Sequence, residues 1–128
     1  MSITHIKFKL KTPECNIKEL DCKDILFQGK NGEFQILPKH EDYVSILKTS
    51  EIHLTTATNN KKIYIVSESI IRFIQKENVC EVLSDFAISA EEIKDDDQSA
   101  IKIKLQNSLS EKEREFYKYI LENYTGAK

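Results

Sequence analysis

Three histidines and three cysteines are the residues of this chain best suited to hold a metal or attack a substrate, and their spacing argues against both. His5, His40 and His53 are scattered, with no HExxH and no pair at metal-ligand spacing. Cys15, Cys22 and Cys80 contain no CxxC, and an odd count without that spacing predicts free thiols in a reducing compartment. Cys22 paired in space with a histidine would be a thiol nucleophile, yet nothing in its local sequence looks activated. Gly29-Lys30-Asn31-Gly32 has glycines fit for a phosphate cradle. It runs into a strand pattern rather than a helix and lacks the Lys-Ser/Thr ending of a P-loop. Its two glycines, of three in the chain, predict a tight turn. The sequence therefore predicts no catalytic residue, no metal site and no cofactor.

Bulk properties narrow the remaining classes. At 128 residues the chain suffices for one ordinary domain, or one small domain with an appendage. Its 40% hydrophobic and 31% charged residues predict a folded soluble protein rather than a disordered tail. Basic and acidic residues balance over residues 1–88, and residues 89–128 are only slightly acidic. Nearly every lysine stretch is interrupted by Glu or Asp, so no nucleic-acid footprint is expected. No apolar run is long enough to span a bilayer. The first ten residues, broken by Lys7 and Lys9, lack the core of a signal peptide. Residence inside the cell is the expectation, with any membrane association indirect.

Short strands are predicted up to about Ile88. Ile6, Phe8 and Leu10 alternate with Lys7, Lys9 and Lys11, giving one buried and one wet face. Thr12-Pro13-Glu14 stops that strand. Further strands are expected over residues 25–27, 34–37, 43–47, 52–54, 63–66, 70–74 and 79–83. Asn59-Asn60 and Glu77-Asn78 mark turns between them. Such spacing predicts an antiparallel β-sandwich or barrel over residues 1–88.

A helical arm is predicted over residues 89–128. Ser89 with Glu92 has the pattern of a helix start, and Asp95-Asp96-Asp97 that of a linker. Residues 100–105 are open between strand, by alternation, and helix, by the spacing of Ile101 and Leu105. The last helix is plainer. Ser110 and Glu113 form a capping-box pattern, Phe116, Tyr117, Ile120, Leu121 and Tyr124 make an apolar stripe, and Gly126 ends it.

Residues 29–40, Gly29-Lys30-Asn31-Gly32-Glu33-Phe34-Gln35-Ile36-Leu37-Pro38-Lys39-His40, resemble the G-x-x-G-x-[FL]-G-[IL]-x-P-G-H signature of the epsilon subunit of F-type ATP synthases (delta in the mitochondrial naming). Thr12-Pro13-Glu14, Lys62-Ile63-Tyr64-Ile65-Val66 and Asn78-Val79-Cys80-Glu81-Val82-Leu83-Ser84-Asp85-Phe86-Ala87 resemble further blocks of that family at matching distances. Gln35 and Lys39 replace two of its glycines, so the loop either takes ordinary backbone angles or accepts strain. Ser67-Glu68-Ser69 stands where Gly-Gly is usual, Glu41-Asp42 replaces Ala-Pro, and Asp97-Gln98-Ser99-Ala100 lacks the Arg of the nucleotide motif found in some members. No nucleotide binding is expected.

The resemblance implies a mainly β fold with an α appendage: an N-terminal antiparallel β-sandwich, then a C-terminal helical hairpin. It implies a non-catalytic rotor subunit in the central stalk of a proton-translocating ATP synthase, peripheral on the cytoplasmic side of a bacterial inner membrane or its organelle equivalent. Its partners would be the gamma subunit, the membrane c-subunit ring and, through the arm, the alpha and beta subunits. Gly29, Gly32 and Pro38 are the loop signature, and Glu33 and His40 fall where the family's loop faces the ring. The alternative for Glu33 is a solvated turn residue, and for His40 a side chain that pins its own loop. The stripe Phe116, Tyr117, Ile120, Leu121, Tyr124 would pack on the preceding helix or the sandwich, or insert into the catalytic head. The rival classes are a stand-alone β-sandwich binding module and a small thiol- or metal-dependent enzyme.

Overall fold

Alternation of side chains along the first strand sets the architecture. Ile6, Phe8 and Leu10 are buried while the lysines between them reach outward. A computed structural model describes residues 5–13, 17–29, 32–93 and 98–124. Among these, strands β1 (Ile6–Lys11), β2 (Ile17–Gly29), β3 (Gly32–Ile36), β4 (Tyr43–Leu47), β5 (Ser50–Thr56), β6 (Lys61–Val66), β7 (Ser69–Ile74), β8 (Val79–Ser84) and β9 (Ala87–Ser89) precede helices α1 (Gln98–Gln106) and α2 (Glu111–Tyr124). Cys15, Asp95-Asp96-Asp97 and the expected helix stop at Gly126 lie outside the described residues.

The strands follow the order β4-β7-β8-β1-β2-β5-β6-β9, with β3 on β2. One long strand makes this a sandwich. The first half of β2 pairs with β1, from Ile17↔Lys11 to Cys22↔Ile6. Its second half pairs with β3 on one side and β5 on the other. A bulge between Cys22 and Asp24 marks the change and bends the strand. One layer is thus β4-β7-β8-β1 and the other β3-β2-β5-β6-β9. The parallel β1–β8 pair joins the first strand to the eighth.

Phe8, Ile71, Phe73 and Val82 from the first layer meet Ile25, Phe27, Ile52, Leu54 and Val66 from the second in one core. The Phe8 and Tyr64 rings stack at 6.1 Å between centroids, layer against layer. Its loops cross between layers at 37–42, 48–49, 67–68 and 85–86. The last two crossings are tied by buried serines: Ser67 N–H donates to Phe86 O at 2.9 Å, and the Ser67 and Ser84 hydroxyls meet at 2.9 Å.

Two expectations need correction, and one open alternative is settled. The strand expected at 25–27 begins at Ile17, because Lys18, Glu19, Asp21 and Lys23 line a pairing strand rather than a loop. Ser89 starts no α-helix: it ends β9, paired with Tyr64, and stands at the N-cap of only a single 3-10 turn over Ala90–Glu92, with no side-chain cap bond. Residues 100–105 are helical, and one residue decides it. Ile101 is buried and Leu105 half-buried against the arm's core, whereas Ile103 is 58% exposed, as a helical face at i and i+4 requires.

Candidate interaction surfaces

The segment from Gly29 to Asp42 is built as a hairpin end followed by a clamped loop. Gly29 and Gly32 face each other as the last pair of the β2–β3 ladder. Gln35 lies within β3 opposite Leu26, in ordinary extended backbone. Lys39 differs. Its φ of 68° lies in the left-handed region, which costs an L-residue about 1–2 kcal/mol. Pro38 precedes it in the turn closed by His40 N–H on Leu37 O at 3.1 Å. Both backbone groups of Lys39 are held by the β7–β8 turn: its N–H donates to Asn78 Oδ1 at 3.0 Å, and Gln75 Nε2 donates to its carbonyl at 3.0 Å. Gln75 N–H also donates to Asp42 Oδ1 at 2.8 Å. Of the two replaced glycines, only the second requires the unusual backbone.

His40 is half-buried and turned into its own loop. Its ring meets the buried Phe73 edge-on at 5.7 Å and Tyr43 at 6.0 Å. Nδ1 donates to Glu41 O at 2.7 Å; a carbonyl only accepts, so that nitrogen carries the proton. Glu33 is exposed near the hairpin end, opposite Gln28. The structure does not join the two: the run from Glu33 to Leu37 alone spans about 13 Å at the rise of a strand.

The arm's apolar stripe is covered. Phe116, Ile120 and Leu121 are buried with Ile101 and Ile65, and Tyr117 and Tyr124 pack beside them. Ile65 explains why: β6 turns Tyr64 and Val66 into the sandwich core and Ile65 outward beneath the helices. Phe116 stacks on Phe86 at 5.8 Å, and Lys104 of α1 sits 5.9 Å over the Tyr117 ring of α2. α2 starts on a displaced capping box. Glu113 N–H donates to Ser110 Oγ at 3.2 Å, while the Glu113 carboxylate accepts from Leu109 N–H at 2.8 Å rather than from the cap itself. Lys112 in the first turn lies 3.7 Å from Asp85 and 3.9 Å from Glu68, and Lys48 holds Glu68 at 3.0 Å. The Lys48 hydrogen bond, then the charges of Lys48 and Lys112, hold the Glu68 carboxyl below its usual range.

A further surface escaped sequence reasoning. The outer face of the first layer carries Val44 and Ile46, each 69% exposed, with Ile70 and Leu83 also exposed. Ile46 pairs with Ile70 and Ile70 with Leu83, so three apolar side chains cross neighbouring strands in one row. The adjoining row is Val44-Arg72-Glu81-Lys9; its Glu81 accepts from Arg72 at 3.0 Å and from Lys11, which ends the apolar row beside Leu83, at 2.9 Å. A contiguous apolar patch rimmed by charge makes this a candidate interaction face. Its sequence signal is the wrong-phase apolar residues of three strands: Val44 and Ile46, Ile70, and Leu83 sit where alternation calls for polar side chains.

The candidate nucleophiles and ligands are inert by geometry. Cys22 and Cys80 are buried free thiols, and burial pushes both up to about 12; Cys22 Sγ–H donates to Leu20 O. His53 donates from Nε2 to Glu51 Oε1 at 2.8 Å. Among the described residues no three His, Cys, Asp or Glu side chains gather to hold a metal ion, and no helix is long and apolar enough to cross a membrane.

Comparison with known proteins gives these surfaces a context. Residues 5–90 match the family profile "ATP synthase, Delta/Epsilon chain, beta-sandwich domain". The chain is 29% identical over 87 residues to the ATP synthase epsilon chain of a Sulfurovum species, covering 68% of each protein. It is 34% identical over 62 residues to that of a Nitratiruptor species, covering 48% of each. Its fold matches a chain in the Euglena gracilis mitochondrial ATP synthase OSCP/F1/c-ring structure with a TM-score of 0.70 at 21% identity, over 95% of this chain and 80% of that one. A second match lies in the Tetrahymena thermophila mitochondrial ATP synthase central stalk/c-ring structure, with a TM-score of 0.57 at 12% identity, over 91% and 96%. With its β-sandwich matched from end to end, the chain belongs to the ATP synthase delta/epsilon family.

Proposed function

We propose that this protein is the epsilon-type subunit of the ATP synthase central stalk, a rotor part that makes and breaks no bond itself. The observation that carries this is the pairing of family membership with an asymmetric sandwich. One outer face is covered by the helical arm, and the other leaves Val44, Ile46, Ile70 and Leu83 open. That open face receives the gamma subunit. The apolar side chains supply the area, and the Arg72–Glu81 pair of the next row, with Lys11 at the end of the apolar row, supplies the polar rim such interfaces carry.

The loop from residue 37 to 42 and the β2–β3 hairpin, with Glu33 and His40, face the polar loops of the c-ring. Glu33 is the exposed, charged contact, and His40 fixes the loop's shape from within. The sandwich, residues 1–88, is one unit and the helical arm, residues 89–128, another; pairing of Ala87–Ser89 with β6 favours counting that short strand with the sandwich. Undocked, the stripe from Phe116 to Tyr124 would expose an apolar helix face able to enter the catalytic head and restrain hydrolysis. The complex sits peripherally on the cytoplasmic side of a coupling membrane. Family membership disfavours a stand-alone binding module.

Affinity-tagged chain, purified from gently solubilised membranes, tests this. Recovery with gamma and c subunits is expected; recovery without gamma would overturn the assignment. A chain truncated after Ile93 keeps β9, and its complex should hydrolyse ATP faster; an unchanged rate would make the arm purely structural.

A further inference from the structure

Asn78 is only 5% exposed and has a φ of 53°, and each of its polar groups is engaged. Its N–H donates to Gln75 O at 3.1 Å, closing the β7–β8 turn, and its carbonyl accepts from Lys7 N–H at 3.0 Å. Its side-chain nitrogen donates to His5 O, and its side-chain oxygen accepts from Lys39 N–H. One buried amide therefore joins the start of β1, the β7–β8 turn and the loop of residues 37–42. A turn alone needs none of the side-chain bonds. Asn59 closes the β5–β6 turn in the same left-handed backbone, with its side-chain oxygen spent on a surface bond from Lys23 Nζ.

We infer that Asn78 is a positioning residue for the loop of residues 37–42, holding Lys39 in a left-handed conformation that lysine does not choose and thereby fixing where His40 and Glu41 are presented. In a chain with lysine where the loop would be most easily made by glycine, the conformation must be imposed from outside. The two clamps, Asn78 on the N–H and Gln75 on the carbonyl, impose it. That the ordered loop serves contact with the c-ring rests on the function proposed above.

The test compares amide hydrogen exchange in the isolated protein for wild type, Asn78→Gly and the matched control Asn59→Gly. Glycine keeps either turn's backbone and removes only the side chain. Exchange at Lys39 and His40 should speed about tenfold in Asn78→Gly, the worth of roughly one buried hydrogen bond, and stay at the wild-type rate in Asn59→Gly. Wild-type exchange at Lys39 and His40 in Asn78→Gly, or equal acceleration in both variants, would overturn the inference. Gln75→Ala, at an exposed position, should loosen the same loop if Asn78→Gly does not fold; an unchanged loop there counts against the clamp. ATP-driven proton pumping by the reassembled synthase reports separately. A loosened loop with intact pumping leaves the clamp standing and removes the ring contact.

Discussion

Lys39 N–H and Asn78 Oδ1 lie 3.0 Å apart, a bond between two residues that both hold left-handed backbone, at φ of 68° and 53°. Asparagine tolerates that region several-fold better than lysine. The strain in this pair therefore resides at Lys39. Lys39→Gly should raise unfolding free energy by about 0.5–1 kcal/mol, the left-handed penalty less glycine's entropy cost. A urea denaturation midpoint that falls, or does not move, would contradict it.

The arm depends on Ile65 from below and Phe116 from above. Phe116→Ala should cost the docked arm about 3–5 kcal/mol, because it empties the centre of a small cluster. Amides of α1 and α2 would then exchange freely while those of β1 and β8 stay protected. Uniform loss of protection would mean that arm and sandwich unfold as one.

The two buried thiols make the fold alkali-sensitive. Burial raises both Cys22 and Cys80 from 9.0 to about 12, so their contribution to stability is whole below pH 9. It is lost as pH rises toward 12, where only the unfolded chain gives up the protons. Cys80→Ala, although less stable throughout, should lose stability less steeply across that window. At pH 8 a thiol reagent should leave both unmodified in the native protein and label them on unfolding.

Glu81 acts at the other end of the scale. The Lys11 hydrogen bond, aided by the charges of Lys11 and Arg72, holds its carboxyl below the usual 4.5. That contribution is present above pH 4.5 and lost as pH falls through the lowered value. Glu81→Gln should flatten the acid limb of the stability curve, seen as a smaller drop in Tm below pH 4.5. An identical acid limb would show that the ion pairs contribute nothing.

Where alternation was clean, as in Ile6-Phe8-Leu10, strand and buried face were both legible in the sequence. β2 was not, because its bulge between Cys22 and Asp24 shifts the phase: Cys22, Ile25 and Phe27 all face inward although no single period of two joins them. In α1 the opposite occurred. Ile101, Ile103 and Leu105 mimic a strand, and tertiary packing against Phe116 and Ile120 selects the helix. The loop signature was legible as a family mark, but its shape was not. Lys39 takes its backbone from Asn78, thirty-nine positions away, and no local pattern encodes such a bond. The open face went unseen for a related reason: Ile46, Ile70 and Leu83 become one row only through the pairing of β4, β7 and β8.

Binding of the purified protein to its gamma subunit, measured by calorimetry for wild type and for Ile46→Glu/Ile70→Glu, tests the central claim most directly. Both positions are exposed, so the variant should fold with a nearly unchanged Tm. The wild type should bind and the variant should lose at least about a hundredfold in affinity, as two charges set against an apolar partner imply. Equal binding by both, or no binding by the wild type, would contradict it.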